Sequence, residues 1–205
     1  MICGVYDRYP ERAREILRER IYTSYEPSLL EREMVKLSAK RLSVEAPPAR
    51  TSTEVISFPP LRLEKHPSLG KKITTEQSEK LALEMASPEQ DQRDLPLHER
   101  DRAVGAVLVD QTGTLLAVAR NQNAKNKTLH AEYILARGFF EQTGQLIPEG
   151  AKVFVTLSPC RMCAAALSEY SQDRVDLQVF YQTKDPGLLA QNICLRHSQM
   201  WDELT

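Results

Sequence analysis

The segment KVFVTLSPCRMC, residues 152–163, carries the clearest structural signal in the sequence. Its first half, Lys152–Leu157, is an almost continuous apolar run of the kind found in strands that are buried on both faces. Pro159 ends this run, and Cys160 and Cys163 follow at a spacing of three. Side chains three residues apart lie on one side of a helix. The segment therefore predicts a buried strand that leads into a helix with two neighbouring thiols in its first turn.

Two apolar runs upstream predict a hairpin. Val104–Val109 and Leu115–Ala119 flank the turn sequence DQTG at 110–113, and such a glycine-containing polar loop between apolar runs is typical of antiparallel strands. A helix is predicted before the hairpin, because Thr74 and Gln77 have the spacing of a capping box.

Helices and strands alternate over the rest of the chain. Apolar residues at helical spacing follow His130, a helix is predicted over Cys160–Tyr170 and a strand over Val175–Tyr181, with no clear fifth strand after it. Because these strands are short and almost wholly apolar, helices should cover both faces of their sheet. The order predicts an α/β fold, a three-layer α/β/α domain around a mixed sheet.

The first 72 residues have a different character. Near-helical spacing of apolar residues predicts helices over Pro10–Arg20 and Pro27–Leu42, whereas prolines interrupt residues 46–70, where Val55–Phe58 has the pattern of a short edge strand. Residues 1–72 hold 14 basic and 10 acidic side chains, against 13 and 18 in residues 73–205. We expect a mainly helical N-terminal extension with a Pro-rich connector, residues 1–72, followed by a second domain, residues 73–205.

The composition of the 205-residue chain is that of a globular protein, with 41% hydrophobic and 27% charged residues. No apolar stretch approaches the ~20 residues of a membrane span, and the first residues lack the pattern of a signal peptide. These features predict a cytoplasmic protein without membrane contact. In that compartment the four cysteines are expected to be free thiols or metal ligands rather than disulfides.

A catalytic metal site is predicted from three residues. Cys160 and Cys163 at a helix start, joined by His130 from another helix start, would give zinc three protein ligands and one open position. Zinc lowers the pKa of a bound water from ~16 towards ~7, and Glu132, two residues after the histidine, is suited to move that proton. We predict one zinc ion per chain, with Glu132 as the catalytic residue.

These residues resemble a known family. His130-Ala131-Glu132 and Pro159-Cys160-x-x-Cys163, with 26 residues between Glu132 and Pro159, are similar to the motifs of the zinc-dependent cytidine/adenosine deaminase superfamily. The resemblance covers about residues 73–181 and includes the order of the elements. It implies hydrolytic removal of an exocyclic amine from a nucleobase.

The resemblance also implies where the substrate binds. Asn121, after the second strand of the hairpin, resembles the asparagine that holds the sugar of the target nucleoside, and Asn123 is a rival for this role. The backbone carbonyl of Ser158 would orient the departing amine.

Small residues complete this set of substrate-binding positions. Gly105 and Ala106 resemble the first strand of the family, where small side chains let a base approach the backbone. Ala131 lies between the histidine and the glutamate of the first motif, and the resemblance assigns it to the substrate site as well.

Two branches of the family share features with this sequence. The runs ARN at 119–121 and MCAAAL at 162–167 look like tRNA adenosine deaminases, whereas serine before the proline of SPC at 158–160 resembles cytidine deaminases. The leading interpretation is a deaminase of adenine or cytosine in RNA such as tRNA. The alternatives are a deaminase of free cytidine- or guanine-type nucleosides or nucleotides, and a non-catalytic binding subunit with structural zinc. The family also implies a possible homodimer.

Two other interpretations of the cysteines remain. Cys160 and Cys163 could form a redox pair, as in thioredoxin-like proteins. Alternatively, Cys194 and His197 could join them in a closed structural zinc site, although a Cys194 that is buried like a small apolar residue and a surface His197 on a final helix are expected instead.

Overall fold

The structure is a computed structural model, and it describes residues 5, 9, 11–18, 20–23, 26–38, 41–44, 61–87, 94–95, 100–124 and 126–204. The predicted edge strand at Val55–Phe58 lies outside these residues. The helices are α1 Ala13–Ile16, α2 Leu29–Ser38, α3 Thr75–Ala86, α4 Ala131–Thr143 and α5 Arg161–Glu169. The strands are β1 Arg20–Thr23, β2 Arg41–Val44, β3 Gly105–Val109, β4 Leu115–Arg120, β5 Lys152–Leu157, β6 Gln178–Thr183 and β7 His197–Met200. None of the described helices is long and apolar enough to cross a membrane.

A five-stranded sheet in the order β4-β3-β5-β6-β7 forms the centre of the second domain. The hairpin strands β3 and β4 are antiparallel, β3 is antiparallel to β5, and β5, β6 and β7 are parallel to one another. Consequently the start of β3 and the ends of β4, β5 and β6 meet at one edge of the sheet, which we call the carboxyl edge.

Alternate residues of the strands face opposite layers of helices. On β3, Ala106 and Leu108 pack in the cluster with α4 and α5, whereas Val107 and Val109 pack in the cluster with α3. The capping box predicted at the start of α3 is present, since the Thr74 side chain accepts from the Gln77 N–H and the Gln77 side chain accepts from the Thr74 N–H. The predicted three-layer α/β/α fold with a mixed sheet is confirmed.

The expectation of no fifth strand was wrong. β7, with the sequence HSQM, pairs with β6 at the edge of the sheet, and its side chains alternate between exposed and half-buried. An edge strand has a neighbouring strand on one side only and need not be apolar along its length. The polar sequence of β7 therefore gave no strand signal. His197 accordingly lies in this strand and not on a final helix.

The N-terminal extension contains strands as well as helices. Helix α2 is shorter than the predicted range Pro27–Leu42. A capping box between Ser28 and Glu31 marks its start, and the helix ends at Ser38. β1 and β2 then form a parallel pair that near-helical spacing did not predict. In β2, Leu42 and Val44 alternate with polar residues, which is the period of a strand.

The extension packs against the helices of the second domain. Leu30, Met34 and Val35 of α2 share a buried cluster with Tyr133 of α4 and with Met162 of α5. Residues 61–73 run alongside β4. The Glu64 N–H donates to the Val118 carbonyl of that strand, and residues 70–73 form backbone hydrogen bonds with the hairpin. The boundary between residues 72 and 73 remains a prediction.

Substitution of Gly105 tests how closely α3 packs against the sheet. A Cβ atom at this position would lie 2.2 Å from the Ala82 carbonyl oxygen and 2.6 Å from the Ala86 nitrogen, both backbone atoms of α3. We expect Gly105→Ala to lower the free energy of unfolding by about 3 kcal/mol, because a packed backbone moves only at high cost. Urea unfolding followed by circular dichroism measures the change.

Gly144→Asn is the matched control for this substitution. Gly144 ends α4 at φ +68° with open space around it, and asparagine tolerates that conformation at a helix end. We expect a loss below about 1 kcal/mol. Equal losses in the two variants would show that conformational freedom, not the approach of α3, requires glycine at residue 105.

Candidate metal centre and active site

Three side chains converge at the carboxyl edge of the sheet. The Nδ1 atom of His130 lies 3.6 Å from Sγ of Cys160 and 3.4 Å from Sγ of Cys163, and the two sulfur atoms are 3.5 Å apart. Among the described residues, this is the group of histidine, cysteine and acidic side chains that is arranged to hold a metal ion. Sequence reasoning had selected the same three residues.

Two helix starts carry these three side chains. His130 is the N-cap of α4 and Cys160 is the N-cap of α5, each with extended backbone torsions, while Cys163 follows within the first turn of α5. Pro159 stands just before the N-cap, where it ends β5 without removing a helical hydrogen bond. Both helices thus direct their positive dipole ends at the cluster, and this field favours thiolate over thiol.

The distances fit a tetrahedral metal ion. With Zn–S bonds of about 2.3 Å and Zn–N bonds of about 2.0 Å, tetrahedral ligands stand about 3.5–3.8 Å apart, and the three observed separations are 3.4, 3.5 and 3.6 Å. A disulfide requires about 2.05 Å between sulfur atoms, so Cys160 and Cys163 are free thiols here. Two thiolates and one imidazole are a donor set that suits zinc.

Glu132 lies beside the ligands and is buried. Burial raises the pKa of its carboxyl group to about 7, the charge of Cys160 adds to this rise, and the neighbouring His130 and a hydrogen bond with Cys163 oppose it. The hydrogen bond with Cys163 and the nearby His130 lower the pKa of the Cys160 thiol well below its usual value. The pocket therefore holds a carboxyl group that exchanges a proton near neutral pH next to a thiolate.

Asn121 holds the start of α4 in place. Its side-chain Oδ1 accepts a hydrogen bond of 2.7 Å from the backbone N–H of Ala131, the residue after His130. Its own N–H donates to the Val104 carbonyl, and the residue is buried. Asn123, the rival for the sugar contact, instead accepts from the backbone N–H of Arg102 at 3.1 Å. Asn121 thus belongs to the ligand-bearing helix start, and Asn123 fixes the loop before β3.

Ser158 connects the end of β5 to the loop after β6. Its Oγ accepts a 2.8 Å hydrogen bond from the backbone N–H of Asp185, and its N–H donates to the Thr183 carbonyl. Asp185 in turn pairs with Arg102 at 3.3 Å. Sequence reasoning singled out neither Arg102 nor Asp185. The signal available in the sequence was that each is a charged residue next to the end of a strand that lies at the carboxyl edge.

The two small residues of β3 have different surroundings. Gly105 faces α3, on the side of the sheet away from α4, and its N–H bonds to Thr156 Oγ1 at 3.2 Å. Ala106 faces the other side, in the cluster that contains Ala131. The absence of a side chain at residue 105 therefore has a packing explanation, and the base contacts of both residues remain predictions.

Cys194 and His197 lie outside the three-residue cluster. Cys194 is a half-buried free thiol against the core, and burial raises its pKa. His197 lies in β7, with its Nε2 3.7 Å from Asp176 Oδ1. The described ligand group contains neither residue, so the geometry favours a three-ligand site over a closed four-ligand one.

Comparison with known proteins agrees with this chemistry. The sequence profile of the Bd3614-like deaminases matches residues 95–203 of the 205-residue chain. The chain belongs to the Bd3614-like deaminase family. It is also 40% identical over 91 residues to a tRNA-specific adenosine deaminase of Agrobacterium fabrum. That alignment spans 43% of this chain and only 57% of the length of the curated relative.

Solved structures of three deaminases are similar to this member of the family. A tRNA:A34 deaminase is 30% identical, with 61% of this chain and 95% of that chain covered and a TM-score of 0.44. A dCMP deaminase from cyanophage S-TIM5 is 21% identical, with 61% and 94% covered and a TM-score of 0.43. A guanine deaminase from Bacillus subtilis is 22% identical, with 55% and 66% covered and a TM-score of 0.41.

Removal of single ligands tests the metal centre. We expect one zinc ion per chain in the unsubstituted protein and almost none after dialysis of Cys160→Ser or Cys163→Ser, because two ligands no longer hold the ion tightly. Elemental analysis of the purified proteins gives the stoichiometry. Cys194→Ser is the matched control and should keep its zinc; loss of zinc from this variant would restore the four-ligand alternative.

Two substitutions of Asn121 test whether its hydrogen bond to Ala131 stabilises the start of α4. Asn121→Ala leaves the buried Ala131 N–H without its acceptor and should lower the free energy of unfolding by about 1–2 kcal/mol. Asn121→Asp keeps an oxygen acceptor, so most of that stability should remain while the side-chain amide donor is lost. Thermal and urea unfolding measure both effects. If Asn121→Asp is as unstable as Asn121→Ala, the hydrogen bond to Ala131 is not what stabilises the site.

Proposed function

We propose that this chain is a zinc-dependent hydrolytic deaminase that acts on a nucleobase within RNA, with tRNA as the leading substrate class. The observation that carries this proposal is the triangle of His130, Cys160 and Cys163 with a buried carboxyl group beside it. Membership of the Bd3614-like deaminase family and the similarity to a tRNA-specific adenosine deaminase support the reaction and the substrate class.

The three ligands would hold one zinc ion at the carboxyl edge. When bound, zinc acts as a Lewis acid and makes hydroxide available at neutral pH. Two converging helix N-termini favour the charged form of the thiols that a metal requires, which burial of Cys163 opposes by raising the pKa of its thiol. Asn121 fixes the His130 end of this arrangement through its hydrogen bond to Ala131.

Glu132 would move the protons of the reaction. Its carboxylate takes one proton from the attacking water and delivers it to the ring nitrogen of the base. It then passes the remaining proton of that water to the amine as the carbon–nitrogen bond breaks. The products are a carbonyl on the base and ammonia. A pKa of about 7 suits this role, because the carboxyl group then accepts and releases a proton with similar ease.

A second candidate is deamination of free nucleosides or nucleotides. Serine instead of glutamate before Pro159 favours it, as does the acidic balance of residues 73–205, since proteins that bind long nucleic acids are usually basic. Turnover of mononucleosides without RNA binding at low salt would identify this activity. A non-catalytic subunit with structural zinc is the third candidate, and full zinc occupancy without turnover of any substrate would support it.

The compartment and the assembly are further parts of the proposal. Free ligand thiols require reducing conditions, which supports the cytoplasm. A homodimer would have to form away from the outer faces of α4 and α5, because the chain's own extension packs there. Light scattering on the purified protein measures the assembly directly.

Substitution of the buried carboxylate tests the reaction. We expect Glu132→Gln to keep its zinc and to lose about 10²- to 10⁴-fold in turnover, the usual contribution of a general acid and base. Transcriptome and tRNA sequencing of cells that express either protein reveals the substrate: A-to-G or C-to-U changes that need Glu132 name the base.

Glu169→Gln is the matched control, because Glu169 is exposed at the last residue of α5. It should edit as the unsubstituted protein does. If neither protein changes RNA, assays of ammonia release on free nucleosides and nucleotides test the second candidate. Full activity of Glu132→Gln on any substrate would contradict the proposed role of the carboxylate.

A further inference from the structure

An ion pair joins two loops on either side of the metal site. Arg102 lies just before β3 and Asp185 just after β6, and their side chains approach to 3.3 Å between Nη1 and Oδ2. In the sheet, β5 lies between these two strands, and β5 runs into Ser158 and Cys160. The ion pair thus connects the loops that flank the segment carrying Cys160.

Residues of the site fix both ends of this ion pair. The backbone N–H of Arg102 donates to Asn123 at 3.1 Å, and the backbone N–H of Asp185 donates to Ser158 Oγ at 2.8 Å. The other carboxylate oxygen of Asp185 accepts from the Gly187 N–H at 2.8 Å. The two charges are therefore held at this edge by the same loops that shape the site.

The two partners differ in exposure. The Arg102 side chain is 55% exposed, whereas that of Asp185 is 15% exposed. A guanidinium has five N–H donors in a planar fork, and within the described part of the chain Asp185 is its ion-pair partner. Arg102 consequently presents most of its donors to solvent at the carboxyl edge, where the start of α4 with His130 also lies.

The positive charge of Arg102 contrasts with the rest of its domain. Residues 73–205 carry 13 basic and 18 acidic side chains, yet Arg161 opens α5 and exposed Lys184 precedes Asp185 at the same edge. Because residues 73–205 are acidic overall, a negatively charged substrate is attracted only to the places where such cations lie.

We infer that Arg102 binds a phosphate group of the substrate and that Asp185 weakens this binding by competing for the guanidinium. The inference rests on the proposed function and narrows its substrate class to phosphate-bearing nucleotides, either a mononucleotide or an RNA strand. The fork of a guanidinium matches two oxygens of a phosphate. When a phosphate replaces Asp185, the Asp185 carboxylate keeps its hydrogen bond from the Gly187 N–H, and the 55% exposed guanidinium can turn towards solvent.

Binding to zinc-loaded Glu132→Gln protein tests this without turnover. The probes are a fluorescein-labelled RNA stem-loop, AMP and CMP, with adenosine and cytidine as phosphate-free controls. Adding Arg102→Gln should weaken binding of phosphate-bearing probes about tenfold and leave the nucleosides unchanged. For the RNA, the slope of log affinity against log salt should fall by about one.

The partner substitution should act in the opposite direction. Asp185→Asn keeps an oxygen for the Gly187 N–H but removes the competing charge, so phosphate-bearing probes should bind several-fold more tightly. Arg196→Gln is the matched control, because exposed Arg196 pairs with Asp176 at 3.2 Å near the starts of β6 and β7, the other end of these strands. It should change nothing.

The probes distinguish the two sources of phosphate. A loss confined to the stem-loop assigns the phosphate to an RNA strand, and an equal loss for AMP or CMP assigns it to a nucleotide. Unchanged binding in Arg102→Gln, equal losses for nucleosides, or no binding of any phosphate-bearing probe overturns the inference.

Failure of the proposed function has a different signature. If the unsubstituted protein turns over no substrate while Arg102 still governs phosphate binding, the deaminase proposal fails, and Arg102 is a phosphate-binding residue of the non-catalytic subunit. If it deaminates nucleotides, Arg102→Gln should raise their KM about tenfold with kcat little changed. An unchanged KM would leave the deaminase proposal intact and overturn the role of Arg102.

Discussion

The convergence of two helix N-termini at the carboxyl edge of one sheet is the constraint on which the rest of this structure depends. His130 and Cys160 cap α4 and α5, and Cys163 completes a triangle with sides of 3.4 to 3.6 Å. Such a triangle requires both helices to start at the same depth in the sheet. β4 and β5 both run antiparallel to β3 and therefore end at the same edge, and the hydrogen bond from the Ala131 N–H to Asn121 Oδ1 holds the start of α4 there.

The burial of α4 and α5 on two sides explains the position of the extension. On one side Ala164 and Leu167 of α5 pack on the sheet, and on the other Met162 and Ala165 pack on α2. A helix that is apolar all round must be covered all round, and the sheet covers only half of it. The described part of the extension therefore completes the core around the cluster of His130, Cys160 and Cys163. Cys163 itself belongs to the cluster that the extension closes.

The parts of the fold that were predicted correctly share a local signal. β5 has its predicted bounds, and the capping box at Thr74 begins α3 where the spacing indicated. The missed elements lacked that signal: β7 is a polar edge strand, and the β1–β2 pair lies in segments whose apolar residues suggested helices. At the site, the three residues of the cluster and the neighbouring Glu132 were singled out from the sequence because motif spacing is local. Arg102 and Asp185 were not, since their contact spans 83 residues.

The sequence by itself determined the residue types and spacings that chemistry requires: a thiol pair at a helix start, a histidine two residues before a glutamate, and apolar strands that demand helices on both faces. Tertiary structure alone decided which distant groups meet. It placed Asn121 in a hydrogen bond with the Ala131 N–H, Asn123 in a hydrogen bond with the Arg102 N–H, and Asp185 in an ion pair with Arg102. The physical reason is that periodicity records how each segment is buried, whereas contacts between loops depend on where the whole sheet brings their ends.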